Sequence, residues 1–274
     1  MSTLATSEFR HIAEVAKDLW GLNITEKKRG LVSTRLSKFL RKSPFDSVSQ
    51  YLDHLKNEAD EADMLVFFDL LSTNVTSFFR ENQHFDYLER EFYTPLARGN
   101  LTLPGRRIRI WSAACSTGAE PFSMAMQALD LLPDLSSWDF QILATDLSNS
   151  ALATARSAVY PEKMLEKLDS DLVQRHFLRG KGSQQDKVKV KDAVRKFVTL
   201  KQVNLMDSWS FRGPFDIIFC RNVMIYFDHD TRERLVNRFL KLLRPGGVFV
   251  IGSAETLAGM NTPFQTVQPS VYVK

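Results

Sequence analysis

Asp146 closes an apolar run, Asp139–Asp146, and stands 28 residues after Gly118, the end of a small-residue turn, Ala113-Ala-Cys-Ser-Thr-Gly118. A carboxylate at the end of such a run can accept both hydroxyls of a ribose. Glu120 lies just beyond the turn, and two further runs, FVTLKQVN and FDIIFCRN, end in Asn204 (followed by Leu205) and in Arg221-Asn222. Acids, amides and an arginine at successive strand ends are a binding set for a nucleoside with a charged tail. The turn holds a single glycine, Gly118. It lacks the spaced glycines that seat a pyrophosphate on a helix N-terminus, which argues against NAD or FAD. S-adenosylmethionine fits instead: its ribose and adenine need acid and amide partners, and its methionyl tail needs charges of both signs. Each residue also has an ordinary role open to it. Asp146 can cap the helix after it, and Asn204 and Asn222 can be turn residues.

These side chains need a sheet to carry them. From 108 onward, apolar strand-like runs alternate with helical periodicity: strands over 108–114, 139–146, 197–204, 215–222 and 248–252, with helices over 119–132, 148–157 and 229–243 between them. That alternation predicts a mostly parallel α/β sheet, and runs at 264–268 and 270–274 predict a closing antiparallel hairpin. About forty residues after Ser157 break the rhythm and read as a helix over 165–175 followed by an inserted β-subdomain at about 172–198, with Gly180-Lys181-Gly182 as its turn. The expected organisation is a helical domain over 1–72, a linker helix and cofactor or substrate segment over 73–107, and the sheet domain over 108–274. Within the linker, Thr73, Asn74 and Thr76 read as caps of a helix that carries Phe78, Phe79, Phe85, Tyr87 and Leu88 into a core.

The chain has 274 residues and a net charge of +4, too mild an excess to name a partner by itself. Its distribution says more. Between 26 and 42 there are seven basic side chains and one acid, Glu26. Lys28, Arg35, Lys38 and Lys42 recur at helical spacing, so one helix face is expected to dock an acidic partner. No apolar run approaches the ~18 residues of a membrane helix, the start has no signal-peptide architecture, and two cysteines, Cys115 and Cys220, sit inside apolar runs. A reducing, cytoplasmic setting is the expectation. The five histidines show no ligand spacing, so no metal is expected.

Five motifs occur in order: Asn74-Val-Thr-Ser-Phe-Phe-Arg80, Ser112-Ala-Ala-Cys-Ser-Thr-Gly-Ala-Glu-Pro121, Ala144-Thr-Asp146, Phe215-Asp-Ile-Ile-Phe-Cys-Arg-Asn-Val-Met-Ile-Tyr-Phe227 and Leu243-Arg-Pro-Gly-Gly247. With them the chain resembles the chemotaxis-receptor methyltransferase family, CheR, across nearly its whole length. The resemblance implies a class I, Rossmann-like S-adenosylmethionine-dependent methyltransferase that esterifies glutamate side chains on receptor cytoplasmic helices and yields S-adenosylhomocysteine. By position it implies cofactor contacts from Asn74, Thr76, Arg80, Glu120, Asp146, Asn204, Leu205, Arg221 and Asn222, and places Arg80 and Tyr226 beside the transferred methyl. For some members it implies docking of a receptor C-terminal tail peptide on the β-subdomain. A monomer without nucleic-acid or membrane-inserted partners is expected.

A glutamate with a pKa of ~4.3 is ionised at neutral pH and needs no general base to attack a sulfonium methyl. Positioning is then the main demand, and an arginine and a tyrosine can orient a carboxylate. Two other functions compete: methylation of a nucleic-acid acceptor, and a non-catalytic module that senses S-adenosylmethionine and docks on receptors. The sequence lacks a base-stacking catalytic motif such as Pro-Pro-Tyr, and a pure adaptor need not keep Arg80 and Tyr226.

Overall fold

The computed structural model describes residues 4–72 and 74–274. Four helices come first: α1 (Thr6–Trp20), α2 (Arg29–Leu40), α3 (Val48–Asn57) and α4 (Glu61–Leu71). Their starts are set locally. Ser47 accepts the Gln50 amide at 3.1 Å, and Asp60 accepts the Asp63 amide at 2.9 Å. Gly21 ends α1 in the left-handed region at φ 69° and donates to the Lys17 carbonyl at 2.9 Å. That sharp exit turns 22–25 across the rest of the molecule.

The next segment departs from expectation. No helix runs from 77; the backbone over 74–82 is irregular, and α5 (Gln83–Leu88) begins only after it. Asn74 and Thr76 therefore cap nothing, and the cap expected of Thr73 lies outside the described residues. The segment's bonds are tertiary: the Phe79 amide donates to Ser123 Oγ at 2.9 Å. A π-turn, Glu89–Tyr93, joins α5 to α6 (Thr94–Ala97).

The sheet then builds through β1 (Arg107–Ala113), α7 (Ala119–Leu131), β2 (Asp139–Asp146), α8 (Asn149–Ser157), β3 (Val159–Pro161), α9 (Ser170–His176), β4 (Phe177–Arg179), β5 (Lys187–Val190), α10 (Asp192–Arg195), β6 (Val198–Gln202), β7 (Phe215–Cys220), α11 (His229–Leu242), β8 (Leu243–Ile251), β9 (Gln265–Gln268) and β10 (Val271–Val273). The main sheet has the order β6-β2-β1-β7-β8-β10-β9. It is parallel through β8 and antiparallel beyond it, and that mix of directions is what the pattern predicts. β7 is buried at every position, which suits a central parallel strand covered on both faces. The order turns at β1, between β2 and β7, and opens a crevice at their carboxyl ends.

The insertion carries three antiparallel strands in the order β3-β5-β4. The extra strand, β3, is three residues long and ends in Pro161, too short to show alternation in sequence. The Leu243-Arg-Pro-Gly-Gly247 turn is the irregular start of β8, where the register to β7 shifts between Phe215 and Ile217. Asp216 fixes it: the buried carboxylate accepts Arg244 Nε at 2.6 Å and the Arg109 amide at 2.7 Å.

One apolar cluster joins the helical domain to the sheet. It runs from Phe9, Ile12, Trp20 and Phe67 to Trp111, Phe239 and Phe249. Trp111 is wholly buried, with its indole donating to Thr145 Oγ1 at 2.9 Å. The N-terminal helices are thus seated on one face of the sheet, where 22–28 reach its carboxyl edge.

Candidate active site

A cavity of about 330 Å³ lies over the carboxyl ends of β1, β2 and β7. The turn after β1 contributes Ala114, Cys115 and Ser116; the irregular segment contributes Asn74, Val75, Thr76 and Arg80; β2 contributes Asp146; the chain after β7 contributes Arg221, Asn222 and Tyr226. The opposite wall is apolar and comes from the helical domain, through Leu22, Ile24, Phe68 and Leu71. A smaller cavity of about 50 Å³ continues it, shares Leu22, Phe68, Ala114, Asp146 and Val223, and ends on Asn204 and Leu205. All nine predicted cofactor residues therefore line one or other of two adjoining spaces.

The turn after β1 needs its one glycine. Gly118 has φ 90°, and a Cβ there would stand 2.8 Å from the Ala155 Cβ. Asp146 closes the turn: its carboxylate accepts the Ser116 amide at 2.7 Å and the Ser148 amide at 2.9 Å. Each oxygen retains further acceptor capacity. Burial pushes the Asp146 carboxyl up to about 6, against the pull of those two amides. Asn74 donates from Nδ2 to Ser148 Oγ at 3.2 Å, and its carbonyl accepts Ser116 Oγ at 3.2 Å. Asn204 instead spends its amide within the protein, on the Leu19 carbonyl at 3.1 Å and the Asp207 carboxylate at 3.3 Å.

Arg221 is the centre of charge. Its side chain is 2% exposed and lies between two carboxylates, with Glu120 at 3.0 Å and Glu81 at 3.2 Å. It also donates to the Arg80 carbonyl. Glu120 accepts Ser112 Oγ at 2.7 Å as well. The two acids respond in opposite ways. Burial raises Glu120 despite Arg221 and Ser112. Burial also opposes ionisation of Glu81, but Arg221 and bonds from Ser253 and Asn222 outweigh it and hold the carboxyl at about 2. Five non-glycine residues here hold left-handed backbone: Phe79, Glu81, Ala114, Ser116 and Asn222, with φ between 50° and 62°. Each such residue costs about 1–2 kcal/mol, so the surrounding contacts must over-determine them.

Arg80 and Tyr226 meet at this cavity. Arg80 donates from Nη1 to the Val75 carbonyl at 2.9 Å and is 38% exposed. Tyr226 is gripped from the helical domain: its carbonyl accepts the Asn23 amide at 2.6 Å, and Lys28 Nζ stands 3.9 Å from its ring centroid. Burial lowers the Lys28 ammonium below its ordinary value.

This placement corrects the expected basic face. Lys28 ends a 3₁₀ turn, Glu26–Lys28, before α2 begins. The tighter turn rotates it away from the helical spacing and into the cavity. Arg35, Lys38 and Lys42 line a separate groove with Phe45, His54, Asp63 and Asp69. That groove shares Ser72 and Asn74 with the cavity, so the two communicate. Arg35 donates to the Leu70 carbonyl at 3.2 Å and to that of Ser72. Glu81 and Glu255, which brace the loops, carry no sequence signal beyond standing beside Arg80 and in a small-residue turn after β8. Leu22, Ile24 and Phe68 read in sequence only as helical-domain apolar residues.

Comparison with known proteins agrees with this architecture. A family model described as "CheR methyltransferase, SAM binding domain" matches residues 74–273, and "CheR methyltransferase, all-alpha domain" matches 7–71. The chain is 40% identical to "Chemotaxis protein methyltransferase 2" of Pseudomonas aeruginosa, over 97% of this chain and 92% of that one. It is 36% identical to the "Chemotaxis protein methyltransferase" of Borreliella burgdorferi (99% and 95%) and 33% identical to that of Escherichia coli (98% and 91%). The residues present fit S-adenosylmethionine. Asp146 has acceptor capacity for a ribose, Arg221 Nε is buried without a hydrogen-bond partner among the described residues, and Leu22, Phe68 and Leu205 give an apolar slot. The protein is an S-adenosylmethionine-dependent methyltransferase, and the chain belongs to the CheR methyltransferase family.

Proposed function

We propose that the chain methyl-esterifies glutamate side chains on the acidic cytoplasmic helices of chemoreceptors. One observation carries this reading: two cations, Arg80 and Lys28, line the cofactor cavity together with Tyr226, and Lys28 stands over the tyrosine ring. That arrangement suits an acceptor that arrives already anionic. Bound S-adenosylmethionine supplies a methyl activated by a sulfonium. Asn74, Thr76, Glu120, Asp146, Asn204, Leu205, Arg221 and Asn222 would hold the cofactor, with Arg80 at the junction. Arg80 and Tyr226 orient the incoming carboxylate and exclude water from it, and no proton has to move. The contact must not be too strong in the ground state, since only interactions that grow towards the transition state accelerate the step.

The groove beside the cavity supports the same substrate. Lys38 and Lys42 present ammonium groups along it, whereas Arg35 is engaged with the end of α4. An acidic helix lying there could deliver a side chain past Ser72 and Asn74.

Radiolabelled methyl transfer to receptor-bearing membranes is expected to give a label released by mild base, because esters hydrolyse there. A base-stable label would point to an N-methyl, C-methyl or nucleic-acid product, and no transfer at all to a non-catalytic module. In the same assay Arg80→Ala and Tyr226→Phe should each lower turnover about tenfold or more while folding is retained; wild-type turnover removes either from the step. Lys38→Glu with Lys42→Glu should weaken receptor methylation several-fold at low salt, with the gap closing as salt rises. Equal rates at low salt would take the groove out of docking.

Asp146 sets a pH dependence. Its ionised form would accept the ribose hydroxyls, and burial pushes its carboxyl up to about 6. S-adenosylhomocysteine affinity should therefore be flat above neutrality and fall below pH 6, by up to about tenfold per pH unit. The slope should shrink in Asp146→Asn. Calorimetry that finds equal wild-type affinity at pH 5 and pH 8 would contradict this.

A further inference from the structure

The chain leaving β8 makes a tight turn, Gly252-Ser-Ala-Glu255, in which the Glu255 amide donates to the Gly252 carbonyl at 2.8 Å. The Glu255 side chain then folds back into the protein. Its Oε2 accepts the Gly252 amide at 2.6 Å and the Asn222 amide at 3.0 Å, and its Oε1 accepts the Ile225 amide at 3.1 Å. One carboxylate thus satisfies three backbone donors beyond the ends of β7 and β8, where strand pairing has stopped. Two of the three belong to the turn that ends in Tyr226.

The geometry around that turn leaves little slack. Asn222 holds left-handed backbone at φ 59°. The Tyr226 amide donates to the Val223 carbonyl at 3.1 Å, so the position of Tyr226 follows that of 222–225. Gly252 is what lets the two loops meet: a Cβ there would lie 2.5 Å from Asn222 Nδ2 and 2.9 Å from Glu255 Oε2. The Asn222 side chain has its own anchor, donating from Nδ2 to Glu81 Oε1 at 3.2 Å. Its orientation towards the cavity therefore does not rest on Glu255 alone.

We infer that Glu255 is a positioning residue for the acceptor side of the site: it holds the 222–226 turn so that Tyr226 meets the incoming carboxylate. This rests on the reading of Tyr226 as an acceptor contact. Glu255 touches neither reactant, and its effect passes through the backbone of the turn. A carboxylate is needed, since a carboxamide offers one acceptor oxygen and brings a donor to face a donor.

The test uses the full chain carrying Glu255→Gln, with Glu255→Asp as a second variant and Tyr226→Phe in parallel. Three quantities are read: turnover on receptor-bearing membranes, S-adenosylhomocysteine affinity, and amide exchange of 222–226. The expected result for Glu255→Gln is turnover lowered about tenfold or more, cofactor-product affinity within about threefold of wild type, and faster exchange confined to 222–226. Glu255→Asp keeps the charge but is too short to reach both Asn222 and Ile225, and should fall between. Turnover within about twofold of wild type for Glu255→Gln overturns the inference. So does a loss of turnover matched by an equal loss of affinity and by exchange spread over the sheet, which would mark a general structural lesion. Full activity in Tyr226→Phe beside a slow Glu255→Gln enzyme overturns the reading of Tyr226 as the acceptor contact, and with it the inference that Glu255 acts through that side chain.

Discussion

A single buried guanidinium, Arg221 between Glu81 and Glu120, is the constraint on which the site depends. It joins three pieces of chain distant in sequence: the end of β7, the first turn of α7, and the irregular segment before α5. The chain after β7, the irregular segment and the turn that leads into α7 all hold left-handed backbone at residues that are not glycine. Such conformations persist only where tertiary contacts leave no alternative. Removing one partner of a buried ion pair typically costs about 3–5 kcal/mol, enough to outweigh the strain of several such residues. The network is uneven by design of its surroundings. Glu81 is held ionised by Arg221 and by two further donors, whereas burial dominates at Glu120.

The second constraint is the seating of the helical domain. Its apolar core is continuous with one face of the sheet, through Trp111, Phe239 and Phe249. That continuity lets Leu22 and Ile24 form a cavity wall, the Asn23 amide grip Tyr226, and Lys28 stand over the tyrosine ring. The helices are therefore part of the site rather than an appendage that only recruits a partner. On the proposed function they would do both, with Lys28 facing the reacting carboxylate and Lys38 and Lys42 the helix that carries it.

Most of the fold was legible in the residues. The buried run of β7, the alternation of strand and helix after 108, and the closing hairpin are local patterns, and the mostly parallel sheet with its antiparallel edge follows from them, whereas the strand order does not. The small-residue turn and the acid at the end of β2 likewise announced a phosphate-free ligand. What stayed hidden is tertiary. The 74–82 segment looks like a capped helix because Asn74 and Thr76 are good caps, yet Ser123 and Arg221 hold it otherwise. Lys28 shares helical spacing with Arg35 and Lys38, but a 3₁₀ turn sets it apart. Glu81 and Glu255 accept bonds from amides distant in sequence, and no spacing rule marks them.

The central claim is that Arg221 keeps the 74–82 segment in place. Hydrogen exchange on Arg221→Met tests it most directly. The account predicts amides of 77–82 exchanging about tenfold faster or more than in wild type, while β1 and β7 keep their protection. Unchanged protection of 77–82 in a folded Arg221→Met protein would contradict it.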